Sequence, residues 1–459
     1  MGVGLGFITS QSLWMDEGST VFKALFPTPA EWWTITKRLG GSDVQMPIYM
    51  FLVWCWEKMG AASEYALRCV NLPWLIIAVL ALHRVRFWPL VILTSPFMLY
   101  YTGELRPYAM QVAAGSVATL ALMRIREGHE ARPFAGLATA GFAALLLTAS
   151  SLTSAIWAVG LGLGIIVMRP GWLKQNGFWL RLSPWLLGLA GFGAFYLMTL
   201  LQGYRAASVG EGSILSILFG FYELLGLAGL GPSRGEIRAN PASLLTALPL
   251  LAPAALVAVA AWIYGAWNWK KNEQPANVVA VAISIIFPLA VFTILSFVAD
   301  FRVLGRHLSP VLPAVLLPLA ACLNATGPRR RIWQSTAAVA VALSLVSAFA
   351  LRFQGRHERD DYRKAASIGI KALQDGKRVW WQADMNATRY YAYRQGGMPM
   401  VNAIQVMESD TPPSLLSADM VVINRPDFRF RGVDYQADLK RNYFVKTASF
   451  TGFEVWEAK

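Results

Sequence analysis

Four short segments of the sequence combine carboxylates with arginine, histidine or tyrosine. They are residues 12–17 with Asp16 and Glu17, residues 43–49 with Asp43 and Tyr49, residues 101–108 with Glu104, Arg106 and Tyr108, and residues 300–307 with Arg302, Arg306 and His307. A carboxylate acts as a general base, and a guanidinium binds phosphate oxygens through two parallel hydrogen bonds. Together these side chains suit an acidic base that works beside an anionic lipid headgroup.

Long apolar stretches lie between these segments and must position them. The chain is 55% hydrophobic and 15% charged, whereas soluble domains carry about 25% charged residues. A helix that crosses a bilayer core of about 30 Å needs roughly 20 apolar residues. Residues 134–168 are too many for one crossing, and Ser150, Ser151, Thr153 and Ser154 at their centre predict a turn between two short spans. The sequence therefore predicts a polytopic α-helical membrane protein.

The loops between the spans predict the orientation. Five of them are rich in Lys and Arg and poor in acids: residues 83–86, 124–132, 169–181, 270–273 and 329–331. These loops share the cytoplasmic side, as the positive-inside rule requires, only if residues 46–59 do not cross the membrane. We predict that this segment and residues 214–230 lie at the outer surface. The count is then about eleven spans, and the four polar segments share the extracytoplasmic face.

The composition changes near residue 353. A charged stretch at residues 357–364 leads into a helix-like run that ends at Leu373. Strand-like segments follow at residues 378–382, 420–424 and 445–456, with a helix signal near residues 387–393. We therefore predict a transmembrane catalytic domain at residues 1–352 and a small extracytoplasmic α/β domain at residues 353–459.

Two function classes are excluded by how charge and cysteine are distributed. The formal charge is +14, but the Lys and Arg residues occupy short loops between spans, which argues against nucleic-acid binding. The three cysteines Cys55, Cys69 and Cys322 lie in or beside apolar segments. They form no metal-like pair and no disulfide framework.

The polar segments resemble a known family in their order and spacing. The run Leu13-Trp14-Met15-Asp16-Glu17 is similar to the first outer loop of the GT-C class of membrane glycosyltransferases. The branch it resembles contains the protein O-mannosyltransferases and the lipid A aminoarabinose transferases. The similarity continues through residues 46–49, 60–68, 104–108, 306–313 and 360–363. The sequence departs from the pattern at Gln45, where many relatives have a basic residue or histidine before a proline pair, and its first helix is shorter than usual.

The resemblance implies an inverting transfer of a sugar from a polyprenyl-phosphate donor in the outer leaflet of the plasma membrane, the inner membrane of a bacterium. Asp16 would be the general base, and Glu17 would orient it or bind the acceptor. Arg302, Arg306 and His307 would bind the donor phosphate. Glu104 and Arg106 would bind the substrate or hold the loop, and Tyr108, Asp43 and Tyr49 would also bind the substrate. The acceptor would be a hydroxyl of lipid A, a protein or a polysaccharide. We expect no cofactor. A divalent metal bound by the four carboxylates Asp16, Glu17, Asp43 and Glu104 stays open as an alternative.

Two other classes of multispan protein stay open as alternatives. A transporter or flippase of lipid-linked sugars places charges at mid-membrane and often carries inverted repeats, whereas these polar residues gather at one face. A lipid-linked glycan ligase or polymerase tends to keep its Arg and His residues in one large late loop. Here the first acidic motif is in the first loop, which favours the transferase.

Overall fold

A computed structural model describes residues 2–127, 135–204, 214–240, 242–271, 273–299, 301–406, 417–426 and 434–459. The helices of its first half are α1 Gly2–Phe7, α2 Met15–Ala24, α3 Pro29–Leu39, α4 Pro47–Lys58, α5 Glu64–Arg68, α6 Leu72–Ala81, α7 Trp88–Leu93, α8 Pro96–Thr102, α9 Tyr108–Glu127, α10 Ala135–Ser150, α11 Leu152–Met168 and α12 Asn176–Leu201. Those of its second half are α13 Ile214–Leu224, α14 Arg234–Ala239, α15 Ser243–Lys271, α16 Pro275–Val298, α17 Leu312–Leu323, α18 Arg330–Phe353, α19 Tyr362–Gln374, α20 Met385–Ala403 and α21 Tyr435–Arg441. Short 3-10 helices occupy Ser42–Gln45, Cys69–Asn71, Pro170–Lys174, Gly305–Val311 and Gly355–His357.

Seven helical segments among the described residues are long and apolar enough to cross a membrane. They are Glu64–Ala81, Tyr108–Glu127, Gly177–Leu201, Ser243–Lys271, Pro275–Val298, Gly305–Leu323 and Arg330–Phe353. The predicted polytopic α-helical fold is thus confirmed. The predicted count of about eleven spans is larger because it includes α1, with 6 residues, the short pair α10 and α11, and one stretch that the structure breaks into α7 and α8.

The predicted turn within residues 134–168 is confirmed. Helix α10 ends at Ser150 and α11 begins at Leu152, with Ser151 between them. The Ser151 hydroxyl accepts a hydrogen bond from the backbone N–H of Ser154 at 3.1 Å. A serine in this position supplies one of the partners that the first turn of a helix lacks, so the polar residues inside the apolar stretch start the second helix.

Helix α4 occupies the segment predicted not to cross the membrane. Its 12 residues give a length of about 18 Å at 1.5 Å per residue, well short of a hydrocarbon core of about 30 Å. Helix α13 has 11 residues and is equally short. The lengths agree with the predicted interfacial helices, and their orientation stays a prediction.

The chain ends in a five-stranded sheet formed by β1 Val379–Gln382, β2 Gln405–Val406, β3 Met420–Asn424, β4 Phe444–Phe450 and β5 Phe453–Ala458. The strand order is β2-β1-β3-β5-β4. Strand β1 runs parallel to β2 and β3, and β5 runs antiparallel to β3 and β4. The segment predicted as one strand at residues 445–456 is instead the hairpin of β4 and β5. Gly452, with φ of 76°, supplies the left-handed backbone that this tight turn requires.

The sheet and its helices pack against the elements that follow the first helix. Leu13, Phe22, Tyr49, Tyr390 and Trp381 belong to one hydrophobic cluster. Helices α2 and α20 pack closely, since a Cβ added to Gly18 would lie 2.6 Å from the Cα of Ala387. The C-terminal part of the chain is therefore seated directly on α2, the helix that carries Asp16 and Glu17.

Candidate active site

Helix α2 places two consecutive carboxylates in different surroundings. Asp16 and Glu17 both lie in its first turn, where the positive end of the helix dipole favours acidic side chains. The Oε2 atom of Glu17 also accepts the backbone N–H of Trp14 at 3.4 Å and so helps to start the helix. Successive side chains on a helix point about 100° apart. Glu17 consequently faces the interior with 0% of its side chain exposed, while Asp16 retains 30%.

Glu17 is held by several donors at once. Arg68 donates from Nε to Oε1 at 2.9 Å and from Nη2 to Oε2 at 2.6 Å. Arg359 donates to Oε2 at 2.8 Å, and the backbone N–H of Leu105 donates to Oε1 at 2.7 Å. Burial by itself raises the pKa of Glu17, but the charges of Arg359 and Arg68 and these hydrogen bonds lower it to about 2. The side chain is therefore charged at neutral pH and anchors the elements that donate to it.

The two arginines that hold Glu17 also hold the chain around it. Arg68 is fully buried and donates to the carbonyls of Thr9 and Gln11 at 2.8 and 2.7 Å. Arg359 lies 3.7 Å from the carboxylate of Glu104. Burial lowers the pKa of Arg359, but Glu17, Tyr100 and Glu104 together more than offset this effect and raise the pKa above its ordinary value. Arg68 and Arg359 are site residues that the sequence prediction missed.

A second buried ion cluster lies beside the first. Asp43, with 4% of its side chain exposed, is 2.6 Å from Lys23 and 2.6 Å from Arg106. Arg106 also donates to the hydroxyls of Thr20 at 3.1 Å and Ser42 at 2.8 Å. Burial raises the pKa of Asp43, but Lys23 and Arg106 lower it below its ordinary value. This cluster ties α2 to the 3-10 helix at Ser42–Gln45 and to the loop before α9.

Tyr49 and Glu104 are joined through Asn71. The hydroxyl of Tyr49 donates to the Asn71 side chain at 2.9 Å, and Asn71 donates to the Glu104 carbonyl. Tyr49 is 0% exposed and Glu104 1%. Both predicted substrate-binding residues are therefore enclosed by protein in this structure.

Asp16 and Arg306 form the partly open edge of the site. The Nη1 atom of Arg306 lies 3.4 Å from Oδ2 of Asp16. Their side chains are 19% and 30% exposed, in contrast to the closed clusters behind them. The Arg306 guanidinium also lies 5.8 Å from the centre of the Tyr108 ring. A carboxylate and a guanidinium thus lie next to each other where both are partly open to solvent.

A close helix contact fixes the segment that carries Arg306. The 3-10 helix Gly305–Val311 packs on α9 at Gly115, where an added Cβ would overlap the carbonyl of Pro310. In this segment Nδ1 of His307 accepts the backbone N–H of Leu304 at 3.0 Å. Because Nδ1 accepts, a neutral His307 ring carries its proton on Nε2.

The structure joins most of the predicted site residues into one group. Ion pairs, hydrogen bonds or ring contacts connect Asp16, Glu17, Asp43, Tyr49, Glu104, Arg106, Tyr108 and Arg306 with their partners. His307 follows Arg306, with its ring 4.9 Å from that of Phe301. Arg302 is exposed, and Asp300 lies outside the described residues. Among the described residues, no three His, Cys, Asp or Glu side chains are grouped as metal ligands.

Comparison with known proteins gives a match at the level of structure. No family model and no curated protein matches the sequence. The fold is similar to ArnT from Cupriavidus metallidurans in the apo state, with a TM-score of 0.57, and to the same protein bound to undecaprenyl phosphate, with a TM-score of 0.54. Each is 13% identical, and the alignments cover 99% of this chain and 95% and 96% of theirs. The polytopic helical fold implied by the sequence resemblance is thereby confirmed.

Proposed function

We propose that this protein is an inverting glycosyltransferase that moves a sugar from a polyprenyl-phosphate donor to an acceptor hydroxyl on the extracytoplasmic side of the membrane. The observation that carries the proposal is the 3.4 Å pair of Asp16 and Arg306, both partly exposed. It lies beside the buried ion pairs of Glu17 and Asp43. The shared fold with an ArnT structure bound to undecaprenyl phosphate supports a lipid-linked donor.

Asp16 is assigned the role of general base. The acceptor oxygen attacks the anomeric carbon on the face opposite the phosphate, and its proton passes to the Asp16 carboxylate. As the new carbon–oxygen bond forms, the bond from the anomeric carbon to the phosphate oxygen breaks, and the phosphate keeps the electron pair. The configuration at the carbon is inverted. A base placed in this way contributes about 10²–10⁴-fold to the rate.

Arg306 is assigned to the leaving phosphate. A departing phosphate is a stable anion that needs positive charge where its own charge grows. Arg306 can donate to this phosphate because its ion pair with Asp16, at 3.4 Å, is long for a charge-assisted hydrogen bond. Arg302 and the Nε2–H of His307 are the further donors that we assign to this phosphate.

The buried carboxylates are assigned to positioning. Glu17, predicted beside Asp16 as catalytic, has a pKa of about 2 and is too weak a base for proton transfer at neutral pH. It fixes the first turn of α2 and with it the direction of Asp16. Asp43, Glu104 and Arg106 hold the surrounding loops, and Tyr49 supports them through Asn71.

We further propose that residues 1–352 form the membrane domain and residues 353–459 an extracytoplasmic domain, both at the plasma membrane. The acceptor is a hydroxyl of a lipid, a protein or a polysaccharide. The carboxylates of Glu17 and Asp43 are each neutralised by two cations, and we assign no cofactor to the reaction.

The test compares Asp16→Asn with Asp375→Asn, an exposed carboxylate at the end of α19. Lipid-linked sugars that accumulate in a deletion strain identify the donor, which is then supplied to the purified protein. We expect Asp16→Asn to fold normally and to lose about 10²–10⁴-fold in transfer rate, while Asp375→Asn transfers like the parent.

Two results decide against the proposal. Transfer that is unchanged in folded Asp16→Asn removes the base assignment. Movement of the lipid-linked sugar between leaflets without transfer to any acceptor identifies a flippase instead.

A further inference from the structure

A second polar pocket lies behind the Glu17 cluster, at the end of the bundle where α1, α8 and α18 meet the segment before α19. It encloses about 370 Å³ of empty space, open solvent included. Its apolar wall includes Phe7, Leu99 and Leu351. Its polar wall includes Arg352 and Arg359. None of the side chains that we assign to proton transfer or to the donor phosphate lines it.

The described lining of this pocket contains two arginines, Arg352 and Arg359, and no carboxylate. Arg359 is paired on its other side with Glu17 and Glu104. Arg352 is bound more weakly than Arg359, since its guanidinium donates to the carbonyl of Ile8 at a distance of 3.4 Å.

Arg352 also carries an unused donor. Within the described part of the chain, its Nε atom is buried and has no hydrogen-bond partner. A buried N–H left without a partner costs free energy, and the cost is larger when the group is charged. A ligand with negative oxygens that binds the remaining N–H groups of the guanidinium would offset this cost and neutralise the charge of Arg352. The chemistry of the lining therefore selects an anion.

The position of the pocket indicates where that anion comes from. Arg352 lies in the last turn of α18, a helix long and apolar enough to cross the membrane. Phe349 and Phe353 on this helix are 47% and 63% exposed and contact the ring of Phe7 with centroids 5.5 and 6.4 Å away. An arginine near the end of a span reaches the headgroup level of a bilayer, and the exposed phenylalanine rings beside it offer an apolar surface to the acyl chains.

We propose that this pocket binds the phosphate group of an anionic membrane lipid, with Arg352 as its principal ligand. The phosphate oxygens accept from Arg352, while the acyl chains extend along the exposed aromatic face of α18. This site is separate from the donor site and goes beyond the proposed transferase activity. The two share Arg359, which lines this pocket on one side and holds Glu17 on the other.

The test uses the full-length protein in nanodiscs and needs no sugar substrate, so its outcome is independent of the proposed activity. One preparation contains phosphatidylcholine alone, a second contains phosphatidylglycerol as well, and a third contains phosphatidylcholine with inorganic phosphate in the buffer. Native mass spectrometry counts retained phosphatidylglycerol, and the melting temperature reports binding. Arg352→Ala is compared with Arg356→Ala, an exposed arginine of the same segment that does not line the pocket.

We expect phosphatidylglycerol to be retained and to raise the melting temperature of the parent and of Arg356→Ala. Arg352→Ala is expected to bind at least about tenfold more weakly, the effect of losing a hydrogen bond to a charged group. If inorganic phosphate alone raises the melting temperature, the pocket is a phosphate site. Its ligand is then free phosphate and not the headgroup of a lipid. Equal binding by both arginine variants, or no effect of either anion on the parent, would overturn the proposal.

A second variant covers the case in which Arg352→Ala does not fold. Gln11 also lines the pocket, and Gln11→Glu adds a carboxylate of nearly the same shape while leaving Arg352 in place. The added charge should repel the phosphate and pair with Arg352 itself. Retention of phosphatidylglycerol by Gln11→Glu at the level of the parent would count against the site.

Discussion

Replacing Glu17 by Gln tests whether this carboxylate stabilises the site rather than transfers a proton. The substitution keeps the shape of the side chain and removes the charge paired with Arg68 and Arg359. Burial raises the pKa of Glu17, but the arginines leave it at about 2 instead of the ordinary 4.5. A lowering of this size corresponds to about 3 kcal/mol in favour of the charged form. We expect the free energy of unfolding to fall by about 3 kcal/mol at neutral pH.

The same pKa values set the pH dependence of this loss. The unfolded chain binds a proton at Glu17 near pH 4.5, whereas the folded chain binds it only near pH 2. The stabilisation is therefore complete above pH 4.5 and disappears as the pH falls towards 2. The variant lacks this titrating group, so the difference between parent and variant should shrink across the same range.

The assay follows unfolding of the detergent-solubilised protein by circular dichroism, at neutral pH and at a pH between 2 and 4.5. Glu31→Gln is the matched control, because Glu31 is exposed and glutamine fills the same capping position at the start of α3. We expect the control to change stability by less than about 0.5 kcal/mol. A Glu17→Gln variant as stable as the parent at neutral pH, or a loss that does not shrink in acid, would refute the reasoning.

Two further substitutions probe the supports of the site. Gly18→Ala would bring a Cβ within 2.6 Å of the Cα of Ala387, so we expect a loss of about 1–3 kcal/mol from overpacking and lower transfer activity. Gly162→Ala, which meets no atom within 4 Å, is its control in the same melting experiment. Asp43→Asn leaves the buried Arg106 without its charged partner and should cost about 3–5 kcal/mol. A melting temperature equal to that of the parent would contradict either expectation.

Local patterns predicted the features of this fold that depend on neighbouring residues. The turn at Ser151 was predictable because serines inside an apolar stretch offer caps to a helix start. Strand β3 was predicted with its observed bounds at residues 420–424, since β-branched residues fill it. The break between α7 and α8 was not predicted, although Ser95 and Pro96 carry a signal for it. Proline favours the first turn of a new helix, and here Ser95 caps that turn.

Distance along the chain explains which part of the site was missed. Arg359 pairs with Glu17 across 342 residues, and no local periodicity relates two positions so far apart. Arg68 stood inside a segment similar to the family, yet nothing in its neighbours indicated that its partner would be Glu17, 51 residues earlier. Acidic and basic segments were recognised as clusters at one face. The pairing of Glu17 with Arg359 depends on how the C-terminal part of the chain packs on α2, which only the folded chain shows.

The contrast between Asp16 and Glu17 follows from one step of a helix. Glu17 points into the protein, where Arg68 and Arg359 hold it charged and unavailable. Asp16 points to the edge, where the described ion pairs give it one partner, Arg306, at 3.4 Å. A rigid base must be fixed by something other than its own hydrogen bonds, because a carboxylate that is fully paired cannot accept a proton from a substrate. Glu17 fulfils that requirement for the proposed base, since it fixes the helix turn and leaves Asp16 partly exposed.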